Sequence, residues 1–314
     1  MPRFALLCPG QGGQEAHMFA IANSNPRVAV LLEQLNTSQY FGMPLPVLLA
    51  SPAQMFENRF AQPLIVAATL ANWSALREEL PTPDVIAGYS VGEVSAHAIS
   101  GELDVGQAVQ LASVRATAMQ ACIKRHAAHA MLSVSGLPLA PLQEICFSHH
   151  LYIAIVTGET NAIIAGLRDD ILKAEQALRE HAIAQLHLSL LPVHIASHTP
   201  LMADALPAMK QVLDNLPFRA ITTPVLAGVN AMKSADSAES KQSLLAQMTQ
   251  TIRWHECMDA LDEAGITVVL ELGPGSALSR MLQSRHPHIA CRSVADFRSS
   301  SAVAEWVNKQ MLRE

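Results

Sequence analysis

Apolar residues along this chain follow two alternating patterns, short uninterrupted runs and longer stretches with helical spacing. Residues 3–8, 85–87 and 267–272 are short apolar runs, typical of strands buried in a parallel sheet. Residues 64–79 and 105–122 carry apolar positions at helical spacing. This alternation predicts an α/β domain whose mainly parallel sheet carries helices on both faces.

The pattern changes in the middle of the chain. It predicts strands at residues 130–134, 152–156, 162–165 and 185–190, and helices at residues 139–147 and 170–181. The order strand, helix, strand, strand, helix, strand is typical of a small ferredoxin-like unit. We therefore predict an inserted ferredoxin-like subdomain at residues 126–195. Residues 1–125 and 196–314 then form one large, discontinuous domain.

The first pattern resumes after the predicted insert. Helices are expected at residues 200–215, 240–251, 255–264 and 277–283, and a strand at residues 225–228. The polar segment at residues 233–240 is expected to be a surface loop.

Composition excludes several classes of protein. Half of the 314 residues are apolar, only 15% are charged, and the net charge is −6. No long basic run suggests nucleic acid as a partner, and no apolar stretch has the length of a membrane span or a signal peptide. The five cysteines are scattered, which favours neither a disulfide framework nor a zinc site. We expect a cytoplasmic protein without a metal.

The motif Gly88-Tyr89-Ser90-Val91-Gly92 lies between a predicted strand and a predicted helix. A serine between glycines at such a turn is typical of a nucleophile elbow, as in α/β-hydrolase-like domains. The glycines leave room for the sharp turn that exposes the serine. The helix that follows offers N–H groups and a positive dipole end to an oxyanion.

A serine nucleophile needs a base, and histidines are the candidates. His198 follows Ser197 in a predicted loop between a strand and a helix, where catalytic groups often lie. His97 lies on the elbow helix, two turns beyond Ser90, and is expected to point away from it. From the residues alone the choice among the histidines stays open. The turn Gly10-Gln11-Gly12-Gly13 lacks the Lys-Ser/Thr pair of a phosphate loop, and is expected to bring Gln11 and backbone N–H groups to a reacting carbonyl.

Five motifs taken together resemble the malonyl-CoA:acyl carrier protein transacylases in order and spacing, over nearly the whole chain. They are Pro9-Gly10-Gln11-Gly12-Gly13-Gln14, Gly88-Tyr89-Ser90-Val91-Gly92-Glu93, Ser113-Val114-Arg115, Ser197-His198 and Glu271-Leu272-Gly273-Pro274-Gly275. The resemblance implies transfer of malonyl from coenzyme A to a carrier thiol. It implies a coenzyme A thioester as substrate and no permanently bound cofactor.

The resemblance also implies roles for individual residues. Ser90 takes the acyl group as an ester, and His198 is the base, oriented by the main-chain carbonyl of Gln247. The backbone N–H groups of Gln11 and Val91 form the oxyanion hole.

Arg115 corresponds to the residue that binds the malonyl carboxylate. Its chemistry agrees, because a guanidinium can hold a carboxylate through two hydrogen bonds in an apolar pocket. On the residues alone, an ordinary surface arginine on an amphipathic helix is the other interpretation.

Several positions depart from the commoner pattern of fatty-acid-synthesis transacylases. Tyr89 replaces a histidine, Gly13 a serine, and Gln250-Thr251 an Asn-Pro pair. These variants are more similar to the transacylase (epsilon) subunit of biotin-independent malonate decarboxylase. That subunit loads malonyl onto the phosphoribosyl-dephospho-CoA arm of a carrier subunit.

Three alternatives stay open from the sequence. They are a malonyl transacylase of fatty acid or polyketide synthesis, an esterase or thioesterase of the α/β-hydrolase type, and a non-catalytic carrier-binding subunit. The hydrolase would use a histidine near the C-terminus, such as His286 or His288. An acidic carrier would need a basic patch, for which Lys124-Arg125, Arg280 and Arg285 are candidates.

Overall fold

The computed structural model describes residues 2–36, 38–123, 128–180 and 185–312. Its strands are Phe4–Cys8 (β1), Val85–Gly88 (β2), His129–Ser135 (β3), Tyr152–Gly158 (β4), Asn161–Leu167 (β5), His187–Leu190 (β6), Val225–Leu226 (β7), Ile252–Arg253 (β8), Val268–Glu271 (β9) and Ala290–Ser293 (β10). Its α-helices are Ala20–Asn23 (α1), Ala29–Leu35 (α2), Ser38–Phe41 (α3), Leu45–Leu49 (α4), Pro52–Met55 (α5), Asn58–Leu76 (α6), Gly92–Ile99 (α7), Val105–Ala121 (α8), Leu139–Ser148 (α9), Arg168–Glu180 (α10), Leu206–Asn215 (α11), Ser237–Ala246 (α12), Trp254–Glu263 (α13), Ala277–Arg285 (α14) and Ser300–Met311 (α15).

The larger unit is built on a parallel sheet with the strand order β10, β9, β1, β2, β7. β1 and β2 are buried along their whole length, as expected for uninterrupted apolar runs. Alternate residues of β1 belong to different core clusters, with Phe4 and Leu6 in one and Ala5 and Leu7 in the other. Helices pack on both faces, so the prediction of an α/β fold with a mainly parallel sheet is confirmed.

The register of the parallel sheet brings three loops to one edge. Cys8 at the end of β1 lies beside Gly88 at the end of β2, and Leu7 lies beside Glu271 at the end of β9. The carboxyl ends of parallel strands form the edge where ligands bind in open α/β sheets. The glycine-rich turn, the elbow serine and the loop after Glu271 therefore start together.

A second sheet has the order β6, β3, β5, β4, β8. β3, β4, β5 and β6 are antiparallel to their neighbours within this group, and β8 joins β4 in parallel. The described elements follow the predicted order of strand, helix, strand, strand, helix and strand. The predicted boundary between residues 125 and 126 lies outside the described residues, as do Lys124 and Arg125.

Some predicted element boundaries were wrong. α6 begins at Asn58, six residues before the predicted start, because Pro63 is accommodated inside the helix rather than ending it. α12 begins at Ser237, within the predicted loop, because the Asp236 side chain accepts hydrogen bonds from the backbone N–H groups of Ala238 and Glu239. The predicted helix at residues 200–215 begins as a 3-10 helix, Pro200–Ala205. β8, β10 and α15 were not predicted.

The described part of the chain contains no helix long and apolar enough to cross a membrane. All five cysteines lie within the described residues; each is buried, and none is joined to another by a disulfide bond.

Candidate active site

Ser90 occupies a strained turn between β2 and α7. Its φ is 55°, in the left-handed region that non-glycine residues rarely adopt. A Cβ atom on Gly88 would collide with the backbone of Glu93, and one on Gly92 with the backbone oxygen of Cys8. The two glycines therefore allow the strand and helix to approach, and the predicted strand–turn–helix arrangement is present.

His198 lies within hydrogen-bond distance of Ser90. Its Nε2 atom is 2.8 Å from Ser90 Oγ, and its Nδ1 atom is 2.5 Å from the backbone oxygen of Gln247. A carbonyl oxygen can only accept a hydrogen bond, so Nδ1 carries the proton and Nε2 offers a lone pair to the serine hydroxyl. This is the geometry of a nucleophile and its base, with the carbonyl in the orienting position.

The environment of His198 keeps its imidazole neutral. Burial lowers its pKa, the charge of Arg115 lowers it further, and the hydrogen bond to Gln247 opposes the shift, leaving the pKa at about 3. At neutral pH the imidazole is therefore unprotonated and able to accept the serine proton.

Arg115 is a buried cation beside this pair, on α8. Only 1% of its surface is exposed. It donates from Nη1 to Gln62 Oε1 at 2.6 Å, and from Nη2 to Gln247 Oε1 at 3.1 Å and to Ser90 Oγ at 3.5 Å. Burial lowers its pKa to about 10, so it stays charged at neutral pH. No carboxylate among the described residues forms an ion pair with it.

Gln62 and Asn58, on α6, belong to this site although the sequence did not single them out. Gln62 donates to Asn58 Oδ1 at 2.7 Å while it accepts from Arg115, and Asn58 donates to the backbone oxygen of Ala116 at 2.8 Å. Asn58 also accepts from the Gln11 side chain at 3.3 Å. A glutamine on the buried face of a largely apolar helix was the available signal, since buried polar groups need partners.

The backbone N–H groups of Gln11 and Val91 donate to no other described residue. Gln11 lines the cavity that contains Ser90, and Val91 directly follows Ser90 at the start of α7. The glycine-rich turn is packed against the loop after β9, where a Cβ atom on Gly13 would lie 2.7 Å from the Pro274 oxygen.

Glu271, the last residue of β9, links that loop to the start of α14. Its buried carboxylate accepts hydrogen bonds from the backbone N–H of Ser279 at 2.8 Å and its hydroxyl at 2.6 Å, and from the Leu278 N–H at 3.3 Å. Burial raises the pKa of Glu271 to about 7, although these hydrogen bonds oppose the shift. The acidic residue of the Glu-Leu-Gly-Pro-Gly motif thus caps the start of α14.

A cavity of about 320 Å³ gives access to Ser90 and His198. It lies between the two sheets, because Met131, Ile155 and Ile163 of the antiparallel sheet form one wall. Tyr89 contributes to the opposite wall and packs edge to face on Trp254, with 5.2 Å between ring centroids.

His97 is held behind the elbow rather than at Ser90. Its Nδ1 atom is 2.6 Å from Glu102 Oε2, and its Nε2 atom is 3.8 Å from Glu93 Oε1. Burial alone would lower its pKa, but these two carboxylates raise it to about 9. Glu93 also accepts from Ser243 Oγ at 2.5 Å, which ties α7 to α12.

The other singled-out cations and histidines have different surroundings. Arg285 is paired with Glu159 and Asp259, while the Arg280 side chain forms no hydrogen bond or ion pair with any described residue. His286 and His288 pair with Asp259 and Asp262, not with Ser90. Asp262, His286 and His288 are also the one described group whose ligand atoms are close enough to share a metal ion.

Known proteins resemble this chain over nearly its whole length. The model of the family described as "Acyl transferase domain" matches residues 5–309. A malonyl CoA-acyl carrier protein transacylase of Haemophilus influenzae is 28% identical over 314 residues, covering 98% of this chain and 100% of that protein.

Solved structures show the same likeness. The malonyl CoA-acyl carrier protein transacylase from Coxiella burnetii shares the fold, with a TM-score of 0.90, 22% identity and 98% of each chain covered. A malonyl-transacylase solved in complex with a type II polyketide synthase acyl-carrier protein has a TM-score of 0.87 and 25% identity, covering 96% of this chain and 98% of that one.

Proposed function

This chain belongs to the acyl transferase domain family and is an acyltransferase, and we propose that it transfers malonyl from coenzyme A to a carrier-protein thiol through an ester on Ser90. One observation carries the proposal. A buried arginine with no carboxylate partner among the described residues lies beside a serine–histidine pair. A guanidinium in that position suits an acyl group that brings its own carboxylate.

In the first half-reaction His198 removes the proton from Ser90 Oγ, which attacks the thioester carbonyl. The carbon–sulfur bond breaks, and the coenzyme A thiolate takes the proton from His198. The backbone N–H groups of Gln11 and Val91 stabilise the tetrahedral oxyanion. The Gln247 carbonyl keeps the imidazole in the tautomer that this step needs.

The second half-reaction reverses these roles. His198 takes the proton from the carrier thiol, and the thiolate attacks the ester on Ser90. The carbon–oxygen bond breaks, and the serine oxygen recovers its proton from His198. Arg115 holds the malonyl carboxylate throughout, which fixes the carbonyl against Ser90.

Incubation with malonyl-CoA alone tests the proposal. Intact-mass analysis should find one malonyl group on the wild-type protein and none on the Ser90→Ala variant. A folded wild-type protein without an adduct would contradict it. Carrier binding without an adduct would instead support the non-catalytic alternative. Rapid release of free malonate without an acceptor would favour the hydrolase alternative.

We further propose that the acceptor is the phosphoribosyl-dephospho-CoA arm of a malonate decarboxylase carrier subunit. Tyr89, Gly13 and the pair Gln250-Thr251 support this, since they depart from the fatty-acid-synthesis pattern. A transacylase of fatty acid or polyketide synthesis is the alternative, favoured by the known relatives. Offering both kinds of carrier to the malonyl enzyme separates the two. Faster transfer to a fatty-acid or polyketide carrier would overturn the malonate decarboxylase assignment.

We interpret residues 126–195 as a ferredoxin-like subdomain inserted between residues 1–125 and 196–314. The antiparallel group β6, β3, β5, β4 with α9 and α10 supports this interpretation. Its sheet contributes the apolar wall opposite Ser90, so the cleft between the two units is the expected path of the thioester arm.

A further inference from the structure

A second cavity, of about 660 Å³, continues the one that contains Ser90. The two cavities share wall residues from both sides, among them Tyr89, Ile163, Arg280 and Met281. A single groove therefore leads from the serine, past the start of α14, to the outer part of the antiparallel sheet.

The chemistry of the groove changes along its length. Met131, Ile155 and Val193 line the inner cavity, which contains Ser90, but not the outer one. The outer cavity adds polar side chains to the shared apolar wall, namely those of Ser133, Ser135, Thr157 and Asn161 and the ion pair of Glu159 with Arg285. An elongated ligand with a weakly polar end and a strongly polar end matches this order.

Arg280 lies where the two cavities meet. It is exposed, and its side chain forms no ion pair or hydrogen bond within the described residues. The nearby Arg285 differs, because Glu159 and Asp259 already occupy its guanidinium. The N–H groups of Leu278 and Ser279 at the start of α14 already donate to the Glu271 carboxylate. The Arg280 side chain, rather than the helix N-terminus, is therefore the positive group available to an anion here.

We propose that the outer cavity binds the nucleotide half of a coenzyme A thioester, and that Arg280 pairs with its diphosphate. The pantetheine arm then crosses the apolar inner cavity to Ser90. A guanidinium forms two parallel hydrogen bonds with phosphate oxygens, which suits this position between the arm and the nucleotide. The inference rests on the proposed function, because that function supplies the coenzyme A thioester.

Three thioesters test this assignment through acylation of Ser90. They are malonyl-CoA, malonyl-4′-phosphopantetheine and malonyl-pantetheine, which lacks any phosphate. Arg280→Ala should raise KM about threefold to tenfold for malonyl-CoA, with kcat unchanged, since exposed charge pairs contribute modestly. The KM for malonyl-pantetheine should not change, and the effect on malonyl-CoA should shrink at high salt.

Arg77→Ala is the matched control. Arg77 is an exposed arginine at the distal end of α6, fifteen residues beyond Gln62, or about 22 Å along a helix. It removes the same charge and should leave all three KM values unchanged. Arg280→Lys should recover part of the affinity, because it keeps the charge but loses the forked geometry.

Equal effects of Arg280→Ala on malonyl-CoA and malonyl-pantetheine, or none on either, would overturn the assignment. A normal KM for malonyl-CoA together with slower transfer to the carrier would assign Arg280 to the carrier instead. Acylation of the wild-type protein by malonyl-pantetheine shows that the proposed function holds even where the role of Arg280 fails. If no thioester acylates Ser90, it is the proposed function that fails.

Discussion

The side-chain oxygen of Gln247 accepts a hydrogen bond from the Arg115 guanidinium at 3.1 Å. The main-chain oxygen of the same residue accepts from His198. One residue at the end of α12 therefore positions both the proposed base and the proposed carboxylate-binding group. Its two contacts use different atoms, so mutation can separate them.

Replacement of Gln247 by alanine should weaken malonyl selectivity while it preserves the serine–histidine pair. The main-chain oxygen that orients His198 persists, but Arg115 loses one of its partners. We expect the transition-state stabilisation measured from kcat/KM to fall by about 1–2 kcal/mol for malonyl-CoA, and by much less for acetyl-CoA. Gln250→Ala, at an exposed position three residues away, is the control. Equal losses for both thioesters would show that the side chain serves the base instead.

Arg115→Ala should impair malonyl transfer far more than acetyl transfer. The loss for malonyl-CoA should be about 2–4 kcal/mol in kcat/KM, because a buried charged contact disappears from the transition state. Arg115→Lys should fall between wild type and alanine, and Arg77→Ala should have no effect. Parallel kinetics with malonyl-CoA and acetyl-CoA check this, and equal losses refute the carboxylate role.

Gln62→Leu should reduce malonyl transfer through Arg115 rather than by itself. Gln62 donates to Asn58 and accepts from Arg115, so its loss frees the guanidinium to move. Added to Arg115→Ala, it should then cost little more, because contacting residues are not additive. A double-mutant cycle on kcat/KM for malonyl-CoA tests this. Full additivity would show that Gln62 acts independently of Arg115.

The reactivity of Ser90 should persist well below pH 6.5. A base works while it is unprotonated, and the pKa of His198 is lowered to about 3, mainly by burial. Labelling by a neutral fluorophosphonate should therefore proceed at nearly the same rate from pH 8 to pH 5. An ordinary histidine, with a pKa of about 6.5, would lose about 30-fold over that interval. Tryptophan fluorescence at each pH verifies that the fold persists.

His97 should stabilise the fold below pH 6.5 and lose that contribution as the pH rises towards 9. Its folded pKa is raised to about 9 by Glu102 and Glu93 despite burial, so the folded state holds a proton that the unfolded state releases near pH 6.5. Urea unfolding at pH 6 and pH 9 should show a larger drop in the free energy of unfolding for wild type than for His97→Gln. The rise in the pKa of His97 from 6.5 to about 9 corresponds to about 3 kcal/mol. Equal drops for the wild type and His97→Gln would show that His97 does not cause this pH dependence.

Local signals in the sequence were sufficient for the elbow and for most strands and helices. Gly88 and Gly92 flank Ser90 between a strand and a helix, and each of these features depends on neighbouring residues. Strands β1, β2, β7 and β9 of the parallel sheet also followed from short apolar runs, whereas β10 did not. Helix starts at Asn58 and Ser237 were missed, since one depends on how Pro63 packs and the other on the Asp236 cap.

The sequence by itself determined the local features. These are a serine at a sharp turn between a strand and a helix, a histidine in a later loop, and the alternation of strands and helices. Only the tertiary structure decided that Arg115 is a buried cation rather than a surface residue, and that Gln62 holds it. It also decided that His97 pairs with Glu102 and Glu93, and that Arg285 is occupied while Arg280 is not. The physical reason is that burial and ion pairing depend on which distant segments pack together, and periodicity along the chain records only which face of an element is apolar.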